Sequence, residues 1–298
     1  MGLSIQLFGL PAQQYAPIAQ RADVLGFEAI WLADHVITPL EFARTYPYKE
    51  SGDPGYRPQT PLADVAVTLG YLAACTRRIK LGTGVFVLPL RNPFVVARAW
   101  ASLQNLSGGR AILGVGAGWM AEEFVAVGED FRTRGARLDE MLDVLTLLWS
   151  GQPVSHAGRF FRFPPVQFGG PPEVEIPIVV GGHSDAALRR AATRASGWFG
   201  PDVDLDVTRR MVQQIDRFRD EAGRSHLQFT HYVRLRGPIT ASNAEAYREA
   251  GLTHLVFSPF TRLPAQATLT DRLTALDDVA EALQPFLSEE SPDDRVQP

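Results

Sequence analysis

Residues 112–123 read ILGVGAGWMAEE: an apolar run, three glycines two apart, and two acids. A dinucleotide-binding turn requires G-x-G-x-x-G, the third glycine allowing helix and strand to pack closely. Counted from Gly114 that third position is Trp119, and counted from Gly116 it is Ala121. Gly114, Gly116 and Gly118 therefore need another reason to be there. What remains is a short apolar strand, 110–116, emerging at a glycine-rich end.

The same rhythm repeats on either side. Apolar strands read at 3–10, 28–35, 79–88, 110–116, 176–182, 197–200, 227–237 and 253–258. Helical stretches at 15–27, 62–76, 93–109, 134–151, 184–195, about 205–222 and 271–287 alternate with them. In 134–151 the apolar residues Leu138, Met141, Leu142, Leu145, Leu148 and Trp149 fall on one face at helical spacing. Pro93 sits near the start of its helix and Gly108–Gly109 at its end. Eight βα units with apolar strands predict a parallel sheet covered by helices. No shift in composition divides the chain, so a single (β/α)8 TIM barrel over residues 1–287 is expected rather than an open doubly wound sheet. The acidic, proline-punctuated stretch 288–298 reads as a disordered tail.

Two stretches interrupt the rhythm: 36–61, rich in proline, aromatics and cations, and 152–175, with a small hairpin near 156–163. Structureless connections longer than ~12–15 residues are usually lids, binding loops or disordered segments. Both are expected to be lids, the first because it follows a strand's C-terminal end, where barrel active sites gather.

Composition narrows the chemistry. The 298 residues carry a formal net charge of −4 with scattered cations, which argues against a nucleic-acid partner. Cys75, the single cysteine, excludes an internal disulfide and reads as a buried structural thiol. No apolar run approaches the ~18 residues of a membrane span, so a soluble, cytoplasmic protein is expected. The six histidines show no metal-ligand spacing, and no G-x-S-x-G elbow occurs.

Residues just past the strand ends are the candidates for function. His35 is of the residue type that suits acid–base work; a structural histidine beneath the lid is the alternative. Asp34 precedes it, and neighbours on a strand face opposite sides. Glu122 and Glu123 read as acids favouring a helix N-terminus. Gly181–Gly182–His183–Ser184 runs from a strand into a helix, where free N–H groups and the helix dipole suit a phosphate. An ordinary N-cap fits the same residues.

These residues carry a resemblance. ADH at 33–35, LGTGVFVLPLRNP at 81–93, LSGGRAILGVGAGWMAEEF at 106–124, RGARLDE at 134–140 and VVGGHS at 179–184 occur in one order. Together they resemble the bacterial luciferase-like monooxygenase superfamily, in particular its coenzyme F420-dependent oxidoreductase branch. The resemblance implies a (β/α)8 barrel with a flavin-like ring at the strands' C-terminal face. It implies that Gly114, Gly116 and Gly118 thin the backbone against that ring, and that a non-proline cis peptide lies within Thr83–Gly84–Val85. It implies that Gly181, Gly182, His183 and Ser184 hold the cofactor phosphate, and that His35, with Asp34, acts on a substrate hydroxyl during hydride transfer.

This chain departs from the branch's sugar-phosphate dehydrogenases at Trp119, where they carry a carboxylate, and in lacking a lid tryptophan. Trp119, Phe42, Tyr46 and Tyr48 point instead to a more apolar or aromatic small-molecule substrate. Arg44, Lys49 and Arg57 of the lid are placed to screen the acidic tail of F420. FMN with oxygen, as in a flavin monooxygenase, is the alternative on the same fold; a non-catalytic flavin-binding accessory protein is a second. A homodimer is expected from the family.

Overall fold

The computed structural model describes residues 1–287 apart from Arg44, Pro201, Arg236, Thr253 and Ala265. The tail expected at 288–298 lies outside the described residues. Among those described, eight parallel strands close into a barrel: β1 (Gly2–Leu7), β2 (Ala29–Leu32), β3 (Lys80–Thr83), β5 (Ala111–Gly116), β8 (Ile178–Gly181), β9 (Gly197–Gly200), β10 (Thr230–Arg234) and β11 (His254–Phe257). Closure comes from β3 pairing with β5 and β1 pairing with β11. A two-residue strand β4 (Phe86–Val87) continues beyond β3 and also pairs with β5. Between them the Gly84–Val85 peptide is cis, where the resemblance placed such a bond.

The helices are α1 (Tyr15–Val24), α2 (Val65–Cys75), α3 (Pro93–Leu106), α4 (Ala121–Val127), α5 (Arg134–Trp149), α6 (Asp185–Arg194), α7 (Leu205–Glu221), α8 (Ala241–Glu249) and α9 (Leu269–Ala282). Local chemistry sets their ends. The Asn92 side chain caps α3 ahead of Pro93, and the Asp64 side chain caps α2, which therefore starts later than the apolar run at 62. The predicted stripe of α5 is buried from Leu138 to Leu148, with Trp149 partly covered. Neither α4 nor α8 stands out in the sequence as a helix. In α8 only Ala244 and Tyr247 are buried, so it carries no apolar period to read. Cys75 is half-buried and free, less enclosed than expected.

Alternation along the strands separates two cores. Leu3, Ile5 and Leu7 of β1 face the helix layer. Inside the barrel, Ala29, Trp31, Ile112, Val179, Phe199, Tyr232 and Val256 form a second cluster. Its aromatic centre, with Trp31 at 5.0 Å from Phe199 and 4.7 Å from Tyr232 between ring centroids, fills the barrel below the mouth. On β1 the alternate residues Ser4 and Gln6 place buried polar side chains on the face opposite Leu3, Ile5 and Leu7.

The expected lid 152–175 is corrected. It forms an antiparallel hairpin, β6 (Pro153–Ala157) and β7 (Arg162–Gln167), as read from 156–163. It follows α5 and precedes β8, so it begins at the barrel's opposite end and packs outside on α3 and α5. Phe163 meets Phe94 of α3 at 5.0 Å, and Gln104 and Asn105 of α3 bond residues 171–175. Among the described residues, no helix is long and apolar enough to cross a membrane.

Candidate active site

A cavity of about 620 Å³ opens at the C-terminal ends of the strands, within the size range of small-molecule sites. Its floor answers the question raised by the glycines. A Cβ at Gly116 would lie 2.6 Å from Val85 Cγ2, and one at Gly181 would lie 2.6 Å from Val85 Cγ1. The two glycines thus seat the isopropyl group of Val85 between β5 and β8. A Cβ at Gly114 would strike the Thr83 carbonyl at 1.8 Å. Gly118 has φ +85° and presses on Val87 and Phe124. The space these glycines leave is filled by the protein's own chain, which forms a thin backbone floor beneath the cavity. Val85, Gly84, Gly116 and Gly118 nevertheless line the cavity.

His35 stands at the cavity wall with both ring nitrogens engaged. Nδ1 is 2.9 Å from Glu123 Oε2 and Nε2 is 3.0 Å from the Tyr56 hydroxyl. Glu123 Oε1 also accepts the Val36 N–H at 2.7 Å. The acid is 2 % exposed, so it is far more than the helix N-terminal charge expected from the sequence. Its neighbour Glu122 accepts the Ala43 N–H at 2.9 Å, tying the lid down.

Asp34 also lines the cavity, but its carboxylate is engaged by other partners. It accepts the Val87 N–H at 2.9 Å and pairs with Arg91 at 2.6 Å. Burial pushes its carboxyl up, against the opposing pull of Arg91. Its contacts strap the end of β2 to β4 beside the cavity. Thr83 does not reach the cavity, because its hydroxyl donates to the Gly114 carbonyl at 2.8 Å.

The turn Gly181–Ser184 lines the opposite wall. Gly182 adopts φ +123°, and the Ser184 side chain accepts the Ala187 N–H at 3.3 Å as N-cap of α6. Capping uses the oxygen of Ser184 as acceptor and leaves its proton to donate. The N-cap reading is observed, and the geometry leaves room for a phosphate at the same turn.

Aromatic residues of the lid close the outer side. Trp119 lies 5.2 Å from Tyr46, 6.3 Å from Phe42 and 6.0 Å from His35, each edge to face. Tyr46 and Tyr48 line the cavity directly, whereas Phe42 supports Trp119 from behind. Burial pushes the Tyr48 phenol up to about 12 and raises Tyr46 as well, Arg234 pulling the latter back. The expected cationic screen is only partly present. Arg44 lies outside the described residues. Lys49 and Arg57 do not line the cavity, and Arg57 pairs with Asp53 at 3.1 Å. The guanidinium groups that do line it are Arg134 and Arg234.

Sequence reasoning passed over Gln6, Tyr56, Arg134 and Arg234 and undervalued Glu123. Gln6 carried a signal, a polar residue within an apolar strand. Its Nε2 donates to the Gly84 carbonyl at 2.8 Å, while its buried Oε1 has no partner. A buried acceptor facing a cavity of this size fits a ligand with an N–H or O–H group. With the Val85 floor and the glycine–serine turn, the residues present fit a planar, phosphate-bearing redox cofactor. Among the described residues, no group of three or more histidine, cysteine or acidic side chains is arranged to hold a metal.

A family model described as luciferase-like monooxygenase matches residues 9–294. An uncharacterised protein of Mycobacterium tuberculosis is 33% identical over 270 residues, covering 90% of this chain and 93% of its own. An F420-dependent glucose-6-phosphate dehydrogenase of Kineococcus radiotolerans is 29% identical over 247 residues, 79% of this chain and 68% of the relative. Among solved structures, an F420-dependent secondary alcohol dehydrogenase in complex with an F420-acetone adduct aligns with TM-score 0.79 at 16% identity, covering 97% and 99% of the two chains. The monooxygenase RslO1 from Streptomyces bottropensis aligns with TM-score 0.74 at 20% identity, covering 97% and 100%. At these identities the structural likeness speaks for the fold.

Proposed function

The chain belongs to the luciferase-like monooxygenase family, and within it we propose an F420-dependent oxidoreductase acting on a small, largely apolar alcohol or carbonyl compound. Bound F420 supplies a two-electron carrier that takes up or delivers hydride. The observation carrying this reading is His35: a histidine at the cavity wall, backed by a buried carboxylate, placed for proton transfer to a substrate oxygen. In oxidation His35 would accept the proton of the substrate hydroxyl. In reduction the same group returns the proton. Gly181–Ser184 and the N-terminus of α6 would hold the cofactor phosphate, and Gln6 Oε1, without a partner in the protein, would accept from the bound group. Trp119, Tyr46 and Tyr48 shape the substrate end, and their aromatic surface favours an apolar body.

Fluorescence titration of the full-length protein with F420 and with FMN tests the cofactor. Tight F420 binding without FMN binding supports the proposal; tight FMN binding with rapid reoxidation by oxygen overturns it in favour of a flavin monooxygenase. With F420 bound, turnover of a panel of apolar alcohols and ketones tests the chemistry. His35→Ala is expected to bind cofactor normally and to lose about 10²–10⁴-fold in kcat, the usual worth of one positioned acid–base group. A variant that keeps full turnover removes His35 from the reaction; a wild-type protein that binds F420 but turns over none of the panel favours a flavin-binding accessory protein.

A further inference from the structure

Imidazole can place its single neutral-state proton on either nitrogen, and only a lone pair on the nitrogen facing the substrate makes a base. The surroundings of His35 decide which nitrogen that is. Glu123 Oε1 receives the Val36 N–H at 2.7 Å and the Ile37 N–H at 3.4 Å. Backbone donors stabilise the ionised carboxylate, so Oε2 meets His35 Nδ1 as an acceptor and Nδ1 carries the proton. On the other side, burial first and then the Glu123 charge hold the Tyr56 phenol well above its ordinary value. Its hydroxyl keeps its proton and donates it to Nε2.

We infer that Glu123 is the positioning residue of this site, locking His35 in the Nδ1–H tautomer so that Nε2 is its working atom, with the Tyr56 hydroxyl as resting partner. The role in turnover rests on the acid–base reading of His35 given above; the tautomer itself does not. Glu123 lies one turn into α4, and its contacts to residues 36 and 37 fix the start of the lid at the same time. One carboxylate thereby sets both the proton map of the base and the path of the loop that encloses it. The substrate oxygen is expected to replace the Tyr56 hydroxyl at Nε2.

The first test needs no turnover. Nitrogen NMR shifts of His35, in the wild-type protein in mildly alkaline buffer, are expected to show a protonated Nδ1 and an unprotonated Nε2. The reverse pattern overturns the inference. The second test is Glu123→Gln. Its amide oxygen must serve the Val36 and Ile37 N–H groups, which turns its NH₂ toward Nδ1 and forces the imidazole proton onto Nε2. The two nitrogen shifts are then expected to exchange, with kcat falling about 10²–10⁴-fold while cofactor Kd and substrate KM stay within about threefold of wild type. Glu123→Asp, which keeps the carboxylate, is expected to restore the wild-type shift pattern and part of kcat. Unchanged shifts in Glu123→Gln, or turnover within about threefold of wild type, overturn the assignment. Loss of function in His35→Ala together with wild-type behaviour in Glu123→Gln sinks this inference and leaves the proposed function standing. Full turnover in His35→Ala does the opposite, since the shifts still report the hold of Glu123.

Discussion

The segment 36–61 leaves the C-terminal end of β2, and the segment 152–175 leaves the C-terminal end of α5. Both are long, both are punctuated by proline and aromatics, and both are anchored by backbone N–H groups converging on a helix carboxylate. Glu123 and Glu122 hold the first through Val36, Ile37 and Ala43. Glu140 holds the second through the N–H groups of Arg159, Phe160 and Phe161 and the ring of His156. Their destinations differ. The first contributes Ala43, Thr45, Tyr46, Pro47 and Tyr48 to the cavity. None of the described residues of the second reaches it; Phe163 and Phe168 are buried instead in the main core. In a barrel, a connection that follows a strand arrives at the mouth and one that follows a helix arrives at the opposite end. An insertion's position in the βα order therefore predicts its role better than its composition does.

The largest effect expected from this contrast lies in the hairpin. Phe163→Ala is expected to cost about 3–5 kcal/mol of stability, typical of an aromatic removed from a packed site, with cofactor affinity unchanged. Urea unfolding and the F420 titration measure the two sides. A marked loss of cofactor affinity in the folded variant would break the comparison.

Next in size is the lid. Trp119→Ala removes edge contacts to Tyr46, Phe42 and His35 and is expected to raise substrate KM about tenfold, equivalent to ~1.4 kcal/mol. Its unfolding midpoint is expected to change little. A fall in kcat at constant KM would move Trp119 from substrate enclosure to support of His35.

The smallest effect is a pH dependence of the hairpin anchor. Burial raises the Glu140 carboxyl, but the N–H bonds from Phe160 and Phe161, with His156 and Arg159, outweigh it and the net shift is downward. A carboxyl lowered in the folded state contributes stability above its unfolded value, and that contribution is lost as pH falls through the folded value. Acidification is therefore expected to lower stability at this site. Glu140→Gln should lose that part of the acid sensitivity. Identical acid unfolding profiles for the two proteins would show that the anchor is not held by charge.

Much of this was legible from the chain alone. Strand positions, the cis peptide position, and the place of the glycine–serine turn and of His35 at the cavity followed from apolar runs, glycines and a shared motif set. Glu123 was visible as an acid in the first turn of a segment, and that ordinary explanation concealed it. Its partners are 86–88 residues away along the chain, so no local pattern marks the contact. Arg134 and Arg234 at the cavity were hidden for the same reason, whereas Gln6 showed itself as a polar residue within an apolar strand. The hairpin was recognised as a hairpin and misplaced as a lid, because composition records exposure and turn content but not which end of the barrel a loop occupies.

The sequence by itself determined the βα order, the closed barrel it builds, and the glycine positions where another side chain would collide with a neighbouring strand. Those properties depend on periodicity and volume, which the chain displays residue by residue. Only the tertiary structure decided that the glycines make room for Val85, that Asp34 pairs with Arg91, and that Glu123 and Tyr56 share His35 between them. These are meetings of residues remote in sequence, set by the register in which the barrel closes.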